Sequence, residues 1–251
     1  MTDIEKVLEY LRKKNVGEID STKGDFNNMY LVGAKLSGAN LEGVNLSFAD
    51  LTEANLSGAN LKDANLTGVN LTRANLRKAF LRDAILKNAN LKEANLVMAK
   101  LVGANLAGAD ISKADLTGVD LIGANLIETN LTKTILEGAY LRGSNFMVAN
   151  LTDTNLMRAD FSGADLTRAC LAGANMTKTN LVGATLSGSN LSDANLTFAR
   201  LSEADLSDAD LTIANLKGAN FKGAILKEAT LNGVYLNEVK LTDEQLKQIK
   251  S

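Results

Sequence analysis

From Phe26 to Leu241 every fifth residue is Leu, Ile, Phe or Met, without a slip in register. Two residues before the centre usually stands Ala, or occasionally Val, Thr or Ser, as at Val69, Thr129 and Ser144. The position just before the centre is usually Asn or Asp, and the two that follow are polar, small or charged. The unit reads A-N/D-L-x-x, as in "ANLSGANLKDANLTG".

Neither common element has this period. Five residues turn a helix by about 500°, so the Leu stripe would smear over every face. In a strand an odd period sends successive Leu side chains to opposite faces. A chain that bends after every pentapeptide avoids both outcomes. Each pentapeptide then forms one side of a polygon, with the centre and the Ala inside and the other three residues outside. Gly and Asn, which tolerate positive φ, are expected at the bends. Successive coils would stack through backbone hydrogen bonds at about 4.8 Å.

This tandem pattern resembles the pentapeptide-repeat family. The resemblance implies an all-β fold, a right-handed quadrilateral parallel β-helix with four pentapeptides per coil. Over residues 26–241 that makes about eleven coils and a rod roughly 50 Å long. The five-residue period alone does not choose four sides over three. Caps are expected at both ends, because a stack of coils otherwise ends in unpaired backbone. Residues 1–25 are expected to hold a capping helix and a polar connector, Gly17 to Gly24. In that helix Ile4, Val7, Leu8 and Leu11 share a face, and Thr2 with Glu5 fits a capping box. Residues 242–251 are expected to form the second cap, with Thr242 and Gln245 as its box and Leu246 and Ile249 as its apolar face.

Composition narrows the function. The chain has no His, no Pro and no Trp, and only 4% aromatic residues against 45% hydrophobic ones. Without His, Ser-His-Asp and Cys-His machinery is excluded, as are most transition-metal sites. Cys170 is the only cysteine and stands on the outside of its coil with no evident base, so it reads as a surface residue. The Gly residues fall mostly two after a centre, as at Gly43, Gly58 and Gly68, and no phosphate-binding fingerprint opens a helix. A non-catalytic protein with no cofactor and no metal is expected. The formal net charge is −2, so no strong field draws nucleic acid or a membrane. No apolar run reaches about 18 residues and the N-terminus lacks a signal-peptide pattern, so the expected setting is cytoplasmic.

What remains is the outer surface. With four pentapeptides per coil, residues 20 apart fall in one column. One column reads Phe80, Lys100, Asp120, Tyr140, Asp160, Asn180, Arg200. Aromatic and long cationic side chains of this kind favour contact surfaces. The positions after the same centres add Val102, Ile122 and Val182, and the next face adds Ile85, Ile127, Met147 and Val148. The candidate interaction surface is therefore Phe80, Ile85, Lys100, Ile122, Ile127, Tyr140, Met147 and Arg200, for an unidentified protein partner or for self-association. Asp also recurs in the position before the centre, at Asp110, Asp115 and Asp120, at Asp160 and Asp165, and at Asp205 and Asp210. The family resemblance implies an alternative, a mimic of duplex DNA that binds gyrase and inhibits or protects it. Arg142, Arg158, Arg168 and Arg200 are interspersed among those acids. Repeats of this kind also make a cyanobacterial source an expectation from the resemblance.

Overall fold

The computed structural model describes residues 2–15, 24–236 and 239–249. Parallel bridges join each residue before a centre to the one 20 positions on, from Asp25–Asn45 to Asp210–Thr230, and again at Asn220–Lys240. Twenty residues per coil means four pentapeptides per coil and four flat faces. Face I carries the column beginning Asp25 and Asn45, face II that of Tyr30 and Asp50, face III that of Lys35 and Asn55, and face IV that of Asn40 and Asn60. The centres and the Ala positions form one continuous buried column along the axis. Larger centres at Phe146 and Phe161 meet inside it, with ring centroids 5.2 Å apart.

The register follows from where the backbone N–H groups go. In the unit after Asn145, the Phe146 N–H donates to Asp165 O (2.6 Å) and the Val148 N–H to Thr167 O (3.0 Å), both one coil ahead. The Asn150 N–H donates one coil back, to Thr129 O (2.9 Å), and the Ala149 N–H closes a turn onto Phe146 O (3.0 Å). The fifth, on Met147, points away from both neighbouring coils and donates to Asn145 Oδ1 (2.9 Å). The same bond recurs at every Asn or Asp before a centre from Asp25 to Asn220. This explains the Asn/Asp of the motif: a short side chain with a carbonyl or carboxylate oxygen satisfies the one amide that stacking cannot.

Two expectations change here. Positive φ falls on the second residue after the centre, at every coil corner, where Gly and also Asn28 and Asn88 stand as expected but do not stand alone. Gly fills fewer of those corners than residues with side chains do, and even Val148 (φ 58°) and Ile213 (φ 52°) adopt the conformation. At some corners Gly also makes room for a surface side chain. A Cβ on Gly218 would stand 2.5 Å from the ring of Phe198, one coil back. Second, the ladder is not regular to Leu241. Among the described residues no bridge joins Asn215 to position 235. Leu236, a centre by register, is 37% exposed. The last coil is therefore closed by something other than a further repeat.

Helix α1 (Asp3–Asn15) covers the first coil. The capping box of Thr2 and Glu5 is present, with Thr2 N–H donating to Glu5 Oε2 (2.7 Å) and Glu5 N–H to Thr2 Oγ1 (3.1 Å). Val7 is buried, and Tyr10 meets Phe26 edge to face at 4.9 Å. Leu8 is about half exposed, not inward as expected. The side chains of Ile4 and Leu11, and the connector apart from Gly24, lie outside the described residues. Asp3 accepts the otherwise open Tyr30 N–H (3.1 Å), and this bond, with Lys6 beside it, holds the Asp3 carboxyl below its ordinary range.

At the far end α2 (Asp243–Gln248) keeps its Thr242–Gln245 capping box. Its inward contacts are polar as well as apolar: Ile249 is half-buried against the core as expected, but Leu246 is not. Leu246 is 44% exposed, whereas Gln245 is buried and its amide donates to Phe221 O (2.7 Å) and Ala224 O (3.0 Å). The Leu226 N–H donates to Gln248 Oε1 (2.9 Å) and the Glu228 N–H to Gln248 O (2.9 Å). The helix thus replaces the missing coil's hydrogen bonds, which an apolar face could not do.

Gln245→Ala strands two carbonyls and a cap, and is expected to cost roughly 1–3 kcal/mol in chemical unfolding. Leu246→Ala should change stability by less than about 0.5 kcal/mol; the reverse order would contradict this account of the cap. Inside the rod, Ser189 occupies an Ala position and its hydroxyl is buried without a partner. Ser189→Ala is expected to raise stability by about 1 kcal/mol, read as a higher Tm, and a lower Tm would refute the assignment.

Candidate functional site

Ten positions before a centre between Asp25 and Asn220 are neither Asn nor Asp. Each forgoes the side-chain bond to the amide two residues on. Four of the ten, Phe80, Lys100, Tyr140 and Arg200, fall in the face IV column. The ladder places Phe80, Lys100, Asp120 and Tyr140 on four consecutive coils. Phe80 and Tyr140 therefore stand three coils apart, about 14 Å at the spacing of paired strands.

Between them lies a groove of about 470 Å³, lined by Lys78, Phe80, Met98, Lys100, Gly118, Gly138 and Tyr140. Its floor forms because the corner between faces III and IV carries Gly118 and Gly138 between the side chains of Met98 and Arg158 on the flanking coils. A Cβ on Gly138 would meet nothing within 4 Å, and one on Gly118 only Met98, at 3.8 Å. Phe80, Met98 and Tyr140 stand 50–53% exposed around it. Lys100 pairs with Asp120 across one coil at 3.6 Å, and Arg158, at the corner beyond Gly138, with Glu137 at 3.9 Å.

Of the residues singled out in the sequence, Phe80, Lys100 and Tyr140 line this groove, and Arg200 continues their column three coils beyond Tyr140. The others do not converge on it. Ile122 is half-buried at the opposite edge of face IV, with Val102 and Val182 in the same column. Ile85 is on face I, and Ile127 and Met147 lie half-buried at the far edge of that face. The sequence reading missed Lys78, Met98, Gly118 and Gly138. Reading the corner position at steps of 20, Lys-Met-Gly-Gly, would have found them, since two missing side chains below an aromatic pair leave a slot.

The acidic positions disperse. Asp110, Asp115 and Asp120 belong to successive pentapeptides and so occupy faces II, III and IV; Asp160 and Asp165 lie on IV and I, and Asp205 and Asp210 on I and II. No face carries an unbroken acidic column between Asn45 and Asp210. Cys170 is half-buried on face II with its Sγ 3.2 Å from Thr152 Oγ1. Among the described residues no three His, Cys, Asp or Glu side chains gather as metal ligands, and no helix is long and apolar enough to cross a membrane.

A family model described as pentapeptide repeats (8 copies) matches the chain in overlapping stretches from residue 30 to residue 243. The observed coil is the right-handed quadrilateral β-helix of such repeats. Among solved structures, the chain is similar to HetL, a pentapeptide repeat protein involved in heterocyst differentiation regulation in the cyanobacterium Nostoc sp. strain PCC 7120. That match has 32% identity over 89% of this chain and 95% of that one, with a TM-score of 0.36. It is also similar to QnrB1, a plasmid-mediated fluoroquinolone resistance protein, at 20% identity over 90% and 95% of the two chains, with a TM-score of 0.42. Rfr23, a pentapeptide repeat protein from the cyanobacterium Cyanothece 51142, matches at 31% identity over 49% of this chain and 64% of its own, with a TM-score of 0.29. No curated protein matches the chain.

The groove can be filled without rebuilding the coil. Corners with φ near 60° already hold Met98, Lys178 and Val148. Gly138→Met is therefore expected to keep the fold at a cost of about 1–2 kcal/mol for the left-handed conformation. Circular dichroism and a thermal melt check this, and loss of the folded spectrum would show that Gly138 is needed by the backbone.

Proposed function

The chain belongs to the pentapeptide-repeat family, and on that premise we propose that it is a non-catalytic rod whose face IV docks a protein partner. The observation that carries this reading is the Phe80–Tyr140 groove. Around it stand three large apolar side chains about half exposed, over a floor of two glycines. Phe80 and Tyr140 have no oxygen placed to receive the amides of Arg82 and Arg142, so each forgoes a bond that Asn would supply. That exchange gains nothing inside the rod, because neither ring reaches the buried column. It gains contact area outside, where aromatic side chains are the typical anchors of protein interfaces. The rod supplies what such an interface needs: anchors held at fixed spacing by a backbone whose ladder bonds do not depend on them.

The test is proximity labelling in the native host with the full chain, the Phe80→Ser/Tyr140→Ser double variant and Gly138→Met. Each variant should keep the parent's circular dichroism spectrum, since both rings lie outside the core. The expected result is a defined set of labelled proteins whose signal drops by about tenfold in both variants, as for the loss of central anchors. Equal labelling by all three proteins would contradict docking at this face.

A further inference from the structure

The chemistry of the partner can be read from the charges along the same edge, an inference that rests on the docking reading above. Lys78, Lys178 and Arg200 are exposed, and among the described residues no carboxylate lies within ion-pair distance of them. They follow face IV and its corner with face III, the line on which Phe80, Met98 and Tyr140 sit. The acids on that line are already engaged. Asp120 faces Lys100 at 3.6 Å, Glu137 faces Arg158 at 3.9 Å, and Asp160 faces Arg142 at 3.8 Å. Such long pairs with exposed cations contribute little. The edge therefore carries surplus positive charge on a chain whose formal net charge is −2.

We infer that this edge receives an extended acidic segment of a partner protein, with one large apolar side chain seated between Phe80 and Tyr140. Phe80 to Arg200 is six coils, about 29 Å, which an extended chain covers in roughly nine residues. Carboxylates on that segment would meet Lys78 at one end of the groove and Lys178 and Arg200 beyond the other. A nucleic acid fits less well. Its phosphates recur without interruption, whereas here Asp120, Glu137 and Asp160 alternate with the cations.

The experiment selects a displayed library of random peptides about nine residues long on the full chain. Enriched peptides are then measured individually by fluorescence anisotropy. The expected peptides carry a net charge of about −3 or below and one Phe, Trp, Leu or Met. Their affinity should fall about tenfold on Lys78→Glu/Lys178→Glu and again on raising salt from roughly 50 to 300 mM. Neutral or basic peptides, no enrichment, indifference to the charge reversal, or tighter binding of a short DNA duplex would each overturn the proposal. If the peptides fail but proximity labelling is still lost in Phe80→Ser/Tyr140→Ser, docking stands and the acidic class falls. If both fail, both readings fall.

Discussion

Five amide groups per pentapeptide need five acceptors, and the backbone supplies only four. Two donate to the coil ahead, one to the coil behind, and one closes the corner turn. The fifth, on the residue after the centre, faces away from both neighbours and is met by the Asn or Asp two residues earlier. Buried or half-buried backbone left without partners is costly. The motif is therefore a hydrogen-bond arrangement as much as a packing one. Leu and Ala fill the axis, Asn or Asp answers the outward amide, and the corner residue turns the chain at positive φ.

The same constraint shows where the surface is free to change. Four of the five bonds are made by backbone alone, so replacing Asn by Phe, Lys or Tyr removes one exposed bond and leaves the coil intact. Corner residues vary more freely still, which is how Met98 and Gly118 come to sit on adjacent coils. The inside tolerates little by comparison. Where Thr replaces Ala, its hydroxyl finds a carbonyl in the preceding coil, as Thr129 Oγ1 does at Leu106 O (3.1 Å) and Thr179 Oγ1 at Leu156 O (2.9 Å). The two ends face the same accounting. Asp3 receives an open amide at one, and Gln245 and Gln248 bridge open groups at the other.

The inside was legible in the sequence because the period of five admits so few structures that bury every Leu, whereas the twenty-residue coil followed only from the family resemblance, since that period fits three sides as well as four. The capping boxes were legible too, since Thr2 with Glu5 and Thr242 with Gln245 stand three residues apart. The end contacts were not. A helix over a coil end must satisfy backbone groups, so Gln245 turns inward and Leu246 outward, the opposite of what hydrophobicity suggests. The groove was half legible. Phe80, Lys100 and Tyr140 stood out as departures from Asn, but a slot also needs missing side chains, and Gly118 and Gly138 looked like ordinary turn glycines. Ile122, Ile127 and Met147 looked exposed because they follow a centre, a position that is in fact half-buried against neighbouring coils.

The central claim is that face IV forgoes single hydrogen bonds for side chains that serve contact, at no expense to the coil. Amide hydrogen exchange resolved by residue tests it most directly. The amides of Arg82 and Arg142, which follow Phe80 and Tyr140, should exchange far faster than that of Ser162, which Asp160 Oδ1 receives at 3.1 Å. The ladder amides of Leu81, Leu141 and Phe161 should be protected alike. If Arg82 and Arg142 were as protected as Ser162, or if Leu81 and Leu141 exchanged with them, the account would be contradicted.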